Sequence, residues 1–216
     1  MKANSAPANS PEYFDNADFP WTRLLEDNFE DIRAEMEQVE AGNFNDWPAG
    51  ELYENEWKLY LFFAPGYRFE DQMKTCPKTM AIVNQIPGIS MATFSKLPAG
   101  SSIAPHNGFS GTVLRSHLAL RVPEGANQDN CALRVGKTIR SWEQGKVFVF
   151  DDMHEHEAYN RLEEDRVVLM LDFLRPWHKR TSTLGYLRQR FMPHPHYKRA
   201  YAKSIESAVN QGQKVY

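Results

Sequence analysis

His106, His156 and Arg166 are the residues of this chain whose types and spacing could carry chemistry together. Two imidazoles fifty positions apart are candidate ligands for a transition metal. A guanidinium ten positions after the second offers a planar fork for a carboxylate. Two histidines, often with one carboxylate and with coordination positions left open, are the ligand pattern of non-haem Fe(II) oxygen-activating centres. Here the carboxylate is missing. His106 stands in Pro105-His106-Asn107-Gly108, and Gly108 takes the place where Asp or Glu would be expected. The spacing predicts a two-histidine centre with an extra open position.

The neighbouring residues sharpen this reading. His154 and His156 are two apart and share a face on a strand, so the spacing alone leaves open which of them ligates. Arg166 opens the apolar run Val167–Leu171; its plainer reading is a salt bridge to Glu163, Glu164 or Asp165. In Leu114-Arg115-Ser116-His117-Leu118-Ala119-Leu120, Arg115 and His117 share one face while the leucines occupy the other. A cation and an imidazole directed into a core are costly unless they bind an anion. Ser95 alternates within Ala92–Leu97 and could add a hydrogen bond from that side.

These groups need a scaffold. Trp21–Val39 reads as one amphipathic helix, 41–50 as loop, Trp57–Phe63 as a strand and Lys74–Gln85 as a second helix with Pro77 near its first turn. From Ile89 the texture changes to short strands with turn punctuation: Ser90–Leu97, Gly111–Val122, Cys131–Val135, Thr138–Trp142, Lys146–Phe150, His156–Asn160 and Arg166–Leu174, with a strand also ending at His106. Many short strands at close intervals predict a sandwich or barrel, covered on one face by the helical N-terminal third.

Composition bounds the rest. A chain of 216 residues with 42% hydrophobic residues is expected to form one domain with a full core. A net charge of −3 excludes a dominant nucleic-acid footprint. The apolar runs are strand length and too short for a membrane span. The polar N-terminus shows no secretory signal, and two cysteines give no disulfide framework, so a cytoplasmic location is expected. Residues 1–12 read as a disordered lead, 13–177 as the functional domain, and 178–216 as a basic extension packed on or trailing it. There is no phosphate-binding glycine loop and no nucleophile elbow, and Pro193-His194-Pro195-His196 reads as loop.

With these segments together, the chain resembles the aspartyl/asparaginyl β-hydroxylase family of Fe(II)- and 2-oxoglutarate-dependent dioxygenases. The resemblance spans about residues 20–177. It rests on Pro105–Gly108, Leu114–Leu120, Ser141–Lys146, Phe150–Asp152, Glu155–Glu157 and Arg166–Pro176 in order and spacing. It implies a distorted double-stranded β-helix, a jelly-roll or cupin-like barrel. It further implies that two histidines hold iron without a carboxylate, which agrees with Gly108, and the match to the Glu-His-Glu segment selects His156 over His154. By the same resemblance Arg166 binds the distal carboxylate of 2-oxoglutarate, Ser95 and His117 contact that cosubstrate, and Arg115 lies near a substrate carboxylate.

The function expected is hydroxylation of an unactivated C–H in a small-molecule or peptide substrate that bears a carboxylate, with Fe(II), 2-oxoglutarate and O2. Two other readings stand beside it: halogenation, with chloride in the open position, and a metal-free barrel that binds a small anion or a partner.

Overall fold

The structure, a computed structural model, describes residues 10–40, 44–46, 53–108 and 110–176. Most of the expected lead (1–9), the basic extension and His194 and His196 lie outside the described residues. The chain runs β1 (Tyr13–Phe14), a 3-10 turn (Asn16–Asp18), α1 (Trp21–Asp27), α2 (Phe29–Glu40), β2 (Asn45–Asp46), β3 (Tyr53–Glu54), β4 (Lys58–Ala64), β5 (Tyr67–Arg68), α3 (Glu70–Thr75) and α4 (Pro77–Val83). There follow β6 (Ile89–Leu97), β7 (Ser101–His106), β8 (Val113–Arg121), β9 (Cys131–Val135), β10 (Thr138–Ser141), β11 (Val147–Phe150), β12 (His156–Asn160) and β13 (Arg166–Leu174).

The strands form two antiparallel sheets. The larger has the order β1-β11-β8-β13-β6-β4-β2, with β5 on β4; the smaller is β10-β9-β12-β7-β3. The expected barrel is therefore two sheets whose inner faces share a core, and neither sheet closes on itself. Alternation along the strands decides which side chains meet where. On β13, Val167, Leu169, Leu171 and Phe173 join the helices α1 and α2 in one core, whereas Val168 and Met170 face the space between the sheets. By the same parity Arg166 and Asp172 point inward. Strand β13 is central and buried on both faces, hence its unbroken apolar run.

Both predicted helices are split. Helix α1 stops at Asn28, whose backbone leaves the helical region and whose side-chain amide donates to the Leu24 carbonyl at 2.8 Å. Helix α2 then packs Ile32, Met36 and Val39 inward at i, i+4 and i+7. The second break is at Cys76, which precedes Pro77 and is held out of the helical region (φ −121°, ψ 61°). Pro77 opens α4 at a position where no amide proton is needed. The start of α4 is capped from another helix: both oxygens of buried Glu35 accept backbone N–H groups, from Lys78 and Thr79, at 2.8 Å each. Loop 41–50 contains the short strand β2, paired to β4.

Candidate active site

His106 ends β7 and His156 begins β12, and the two are direct cross-strand partners in the smaller sheet. Their ring centroids lie 4.1 Å apart. Each ring is fixed by a local contact. His106 Nδ1 is 2.8 Å from the Ala104 carbonyl and His156 Nδ1 is 3.0 Å from the His154 carbonyl. A proton on Nδ1 donated to those carbonyls leaves the Nε2 lone pair of each ring available to a metal, the usual arrangement behind a ligating histidine. Burial pushes both imidazoles below their ordinary pKa, and His106 pushes His156 down further. They are neutral at physiological pH, as ligation requires. His154 is directed elsewhere: its Nε2 is 2.9 Å from the Ser10 carbonyl.

The groups expected to bind an anion come from the opposite sheet. Arg115, His117, Ser95 and Arg166 all line one cleft together with the two histidines. Its walls are otherwise apolar, from Ile103, Leu133, Phe150, Ala158 and Met170. Arg166 is 1% exposed and its Nε and Nη1 have no hydrogen-bond partner among the described residues. The expected alternative of a salt bridge to the preceding acidic run does not form: Asp165 pairs with Lys96 at 3.4 Å. Instead the guanidinium lies over the Trp142 ring, 4.4 Å from its centroid. Burial lowers its pKa to about 10, which still leaves it charged at neutral pH.

Two indoles set the polarity of the cleft. Trp142 Nε1–H donates to His117 Nδ1 at 3.3 Å, and Trp57 Nε1–H donates to Ser95 Oγ at 2.9 Å. Burial, reinforced by Arg166 and Arg115, keeps His117 neutral. With Nδ1 accepting, its proton sits on Nε2, which has no partner among the described residues. Ser95 Oγ, already accepting, is likewise left with its own proton to give. Arg166, His117 and Ser95 therefore present donors to one cleft whose lining among the described residues holds no Asp or Glu, a donor set suited to a carboxylate.

Arg115, expected near a substrate carboxylate, is paired within the chain. Its charge meets a carboxylate of the chain itself: Nε and Nη2 donate to Asp172 Oδ1 and Oδ2 at 2.7 and 2.9 Å, and Asp152 lies 3.4 Å from Nη2. Asp152 is 2% exposed, and burial pushes its pKa up against the pull of Arg115. Its carboxylate fills the space beside Gly108, where a Cβ would lie 2.5 Å from Asp152 Cγ, Oδ1 and Oδ2. Among the described residues no group of three or more His, Cys, Asp or Glu is placed to hold a metal. The histidine pair is what remains to hold one, and its donor chemistry fits Fe(II) with non-protein ligands completing the shell.

The turn that carries Asp152 and leads to His156 is held from two sides. Asp151 accepts from Arg175 Nη2 at 2.5 Å in a fully buried pair and also from Ser10 Oγ. Its backbone N–H donates to the Glu12 carbonyl at 3.1 Å, while the Glu12 carboxylate accepts from Lys137 N at 2.8 Å and Thr138 Oγ1 at 2.5 Å. Ser10 and Glu12, which fall in the expected lead, thus tie the ligand-bearing turn to the edge of the smaller sheet.

Sequence reading assigned no role to Trp57, Trp142, Asp152 or Asp172. Asp172 had a usable signal. It is a carboxylate in an apolar strand, on the same parity as Arg166, and it needs a cation on a neighbouring strand.

The described fold is mainly β with N-terminal helices, and it sets a histidine pair opposite Arg166, His117 and Ser95 in one cleft. Residues 26–176 match the sequence profile of aspartyl/asparaginyl β-hydroxylase, and the chain belongs to that family. It is 37% identical over 179 residues to the ornithine lipid ester-linked acyl 2-hydroxylase of Rhizobium tropici, covering 79% of this chain and 63% of that protein. It is 29% identical over 128 residues to human aspartyl/asparaginyl β-hydroxylase, covering 57% of this chain and 16% of that one. The chain thus spans less than two thirds of the length of either relative. A prolyl-4-hydroxylase structure from Pseudomonas putida aligns over 72% of this chain and 98% of its own, with 16% identity and a TM-score of 0.47. Among the described residues no helix is long and apolar enough to cross a membrane.

Proposed function

We propose that this chain is an Fe(II)- and 2-oxoglutarate-dependent hydroxylase acting on a C–H one bond from a carboxyl-derived carbon. The observation that carries the reading is the buried Arg166 guanidinium, whose Nε and Nη1 have no hydrogen-bond partner among the described residues and which faces the same cleft as the histidine pair. An uncompensated buried cation is costly, and an anionic ligand offsets that cost.

In this reading His106 and His156 hold the iron through Nε2. Arg166 binds the far carboxylate of 2-oxoglutarate, with His117 Nε2–H and Ser95 Oγ–H as further donors. Iron, 2-oxoglutarate and O2 together supply the oxidising power, with succinate and CO2 as co-products. The apolar walls keep water from the reacting carbon, and Arg115 with Asp172 orients the polar end of the substrate. The Asp152 carboxylate fills the space that a side chain at position 108 would need.

The relatives' names support the position of attack. A β-hydroxylated aspartyl or asparaginyl residue and a 2-hydroxylated ester-linked acyl group both carry the new hydroxyl on the carbon next to a carboxyl-derived carbon. The test is conversion of 2-oxoglutarate to succinate by Fe(II)-loaded protein, with His156→Ala as control. Succinate that vanishes in the variant supports the reading. A wild-type protein that neither binds 2-oxoglutarate nor makes succinate points to the metal-free binding module.

A further inference from the structure

The His156 ring takes its orientation from the turn that precedes it, with Nδ1 3.0 Å from the His154 carbonyl. That turn is built on Asp151. Asp151 Oδ1 accepts from the Met153 N–H at 3.1 Å, and the Asp151 carbonyl accepts from the His154 N–H at 3.2 Å. A shift of 151–154 therefore carries the His154 carbonyl with it, and the imidazole follows.

Gly108 N–H, Asn107 Nδ2 and Arg175 Nη2 grip one side of the turn, at the Asp152 and Met153 carbonyls and the Asp151 carboxylate. Three further contacts come from Ser10 and Glu12. Ser10 Oγ donates to Asp151 Oδ2, the Ser10 carbonyl lies 2.9 Å from His154 Nε2, and the Glu12 carbonyl accepts from the Asp151 N–H at 3.1 Å. This segment is itself anchored on the β9–β10 hairpin, where the Glu12 carboxylate accepts from Lys137 N–H at 2.8 Å and Thr138 Oγ1 at 2.5 Å. It fits there because position 136 is glycine: at φ +57° an added Cβ would collide with Glu12 Oε1. The chain continues into β1, where Tyr13 pairs with Phe150 of the larger sheet while its hydroxyl donates to the Leu133 carbonyl of the smaller at 2.8 Å.

A centre with two protein ligands has no third to absorb a misplaced imidazole, so the outer contacts that fix each ring bear directly on affinity. Ser10 and Glu12 lie ahead of the residues 26–176 that match the family, and neither lines the cleft.

We propose that Ser10 and Glu12 form a strap that positions His156 for the metal, so that retention of the ion depends on a segment outside the family-matched region. This rests on the reading of His106 and His156 as iron ligands. Both strap residues act through the 151–154 turn and are positioning residues.

The test is titration of the full chain with Co(II), a redox-stable stand-in for Fe(II), followed by calorimetry and visible absorption. The proteins compared are the wild type, His156→Ala, Ser10→Ala with Glu12→Ala, Glu12→Gln, and Glu35→Ala. The double variant is expected to bind Co(II) about tenfold or more weakly than the wild type. Glu12→Gln, whose amide oxygen can still accept from Lys137, stays near the wild-type value. Glu35→Ala lowers stability from the helical layer and binds Co(II) as the wild type does, which separates positioning from general destabilisation. In the metal-free protein, amide exchange at 151–156 quickens in the double variant and not in Glu35→Ala. Ser10→Ala and Glu12→Ala taken singly give the same readouts if the double variant folds poorly. Wild-type Co(II) affinity in the strap variants, unchanged exchange at 151–156, or a loss of affinity matched by Glu35→Ala overturns the proposal. A wild type that binds Co(II) no better than His156→Ala overturns the ligand assignment itself, and the strap's role falls with it.

Discussion

Gly108 faces the carboxylate of Asp152 so closely that a β-carbon would stand 2.5 Å from its oxygens, and the Gly108 amide donates to the Asp152 carbonyl at 2.7 Å. The glycine is there because a buried acid occupies the adjoining volume. Gly108→Ala is expected to destabilise the protein by about 1–3 kcal/mol through overpacking. Asp152→Ala in the same chain should recover most of that loss. Chemical denaturation of the two single variants and the double variant would give the coupling; strict additivity would show that the two residues do not compete for space.

Arg166 separates function from folding. Its guanidinium has two interior nitrogens without a partner among the described residues, so Arg166→Met should leave the melting temperature unchanged or higher, because removing an uncompensated buried charge costs little. Loss of the charge-assisted contacts should weaken 2-oxoglutarate binding on the order of 100-fold. Thermal melts with and without 2-oxoglutarate check both at once: the ligand raises the wild-type midpoint and fails to raise that of the variant.

The three cleft imidazoles predict a pH dependence. Burial depresses the pKa of His106, His117 and His156 in the folded state. An unfolded histidine takes up its proton near 6.5. The sign follows: above that pH neither state holds the extra protons, and stability is full. As pH falls below about 6.5 the unfolded chain binds protons that the fold excludes, and stability is lost until the folded-state pKa values are passed. Denaturation midpoints at pH 7.5 and 5.5 should differ in that direction, and His117→Phe should flatten the slope.

Glu35 offers a test away from the site. It caps α4 with two carboxylate-to-amide hydrogen bonds from inside the helical layer. Glu35→Ala should cost about 2 kcal/mol, near the upper range for a lost cap. For a chain of this size that is a drop of roughly 4–8 °C in Tm. Turnover per folded molecule should stay unchanged, since the buried side chains of α4, Met80, Ile82 and Val83, join the helix-side core and not the one between the sheets.

What could be read from the chain was what local periodicity determines. Strict alternation along β8 places Arg115 and His117 on the inner face, and the apolar run of β13 marks a central strand whose first residue is Arg166. The helix breaks were less legible. Asn28 interrupts a helical pattern whose apolar spacing continues across it, and only backbone geometry reveals that stop; the break at Cys76 had a single local signal, the proline that follows it. Pairings across the fold were not legible at all. Nothing local links Ser10 or Glu12 to the 151–154 turn, Asp172 to Arg115, or the two indoles to Ser95 and His117. Those links depend on which strands become neighbours. The barrel expectation failed in one respect for a related reason: closure is a property of sheet edges, which strand composition does not encode.

The histidine pair belongs to the smaller sheet, and Arg166, His117 and Ser95 belong to the larger. Any molecule gripped at both ends therefore bridges two layers whose inner faces pack through side chains. Filling the cleft fastens the layers to each other as a crosspiece would. Amide exchange should slow in β7 and β12 on one side and in β8 and β13 on the other, as one concerted change, although neither sheet gains a backbone hydrogen bond.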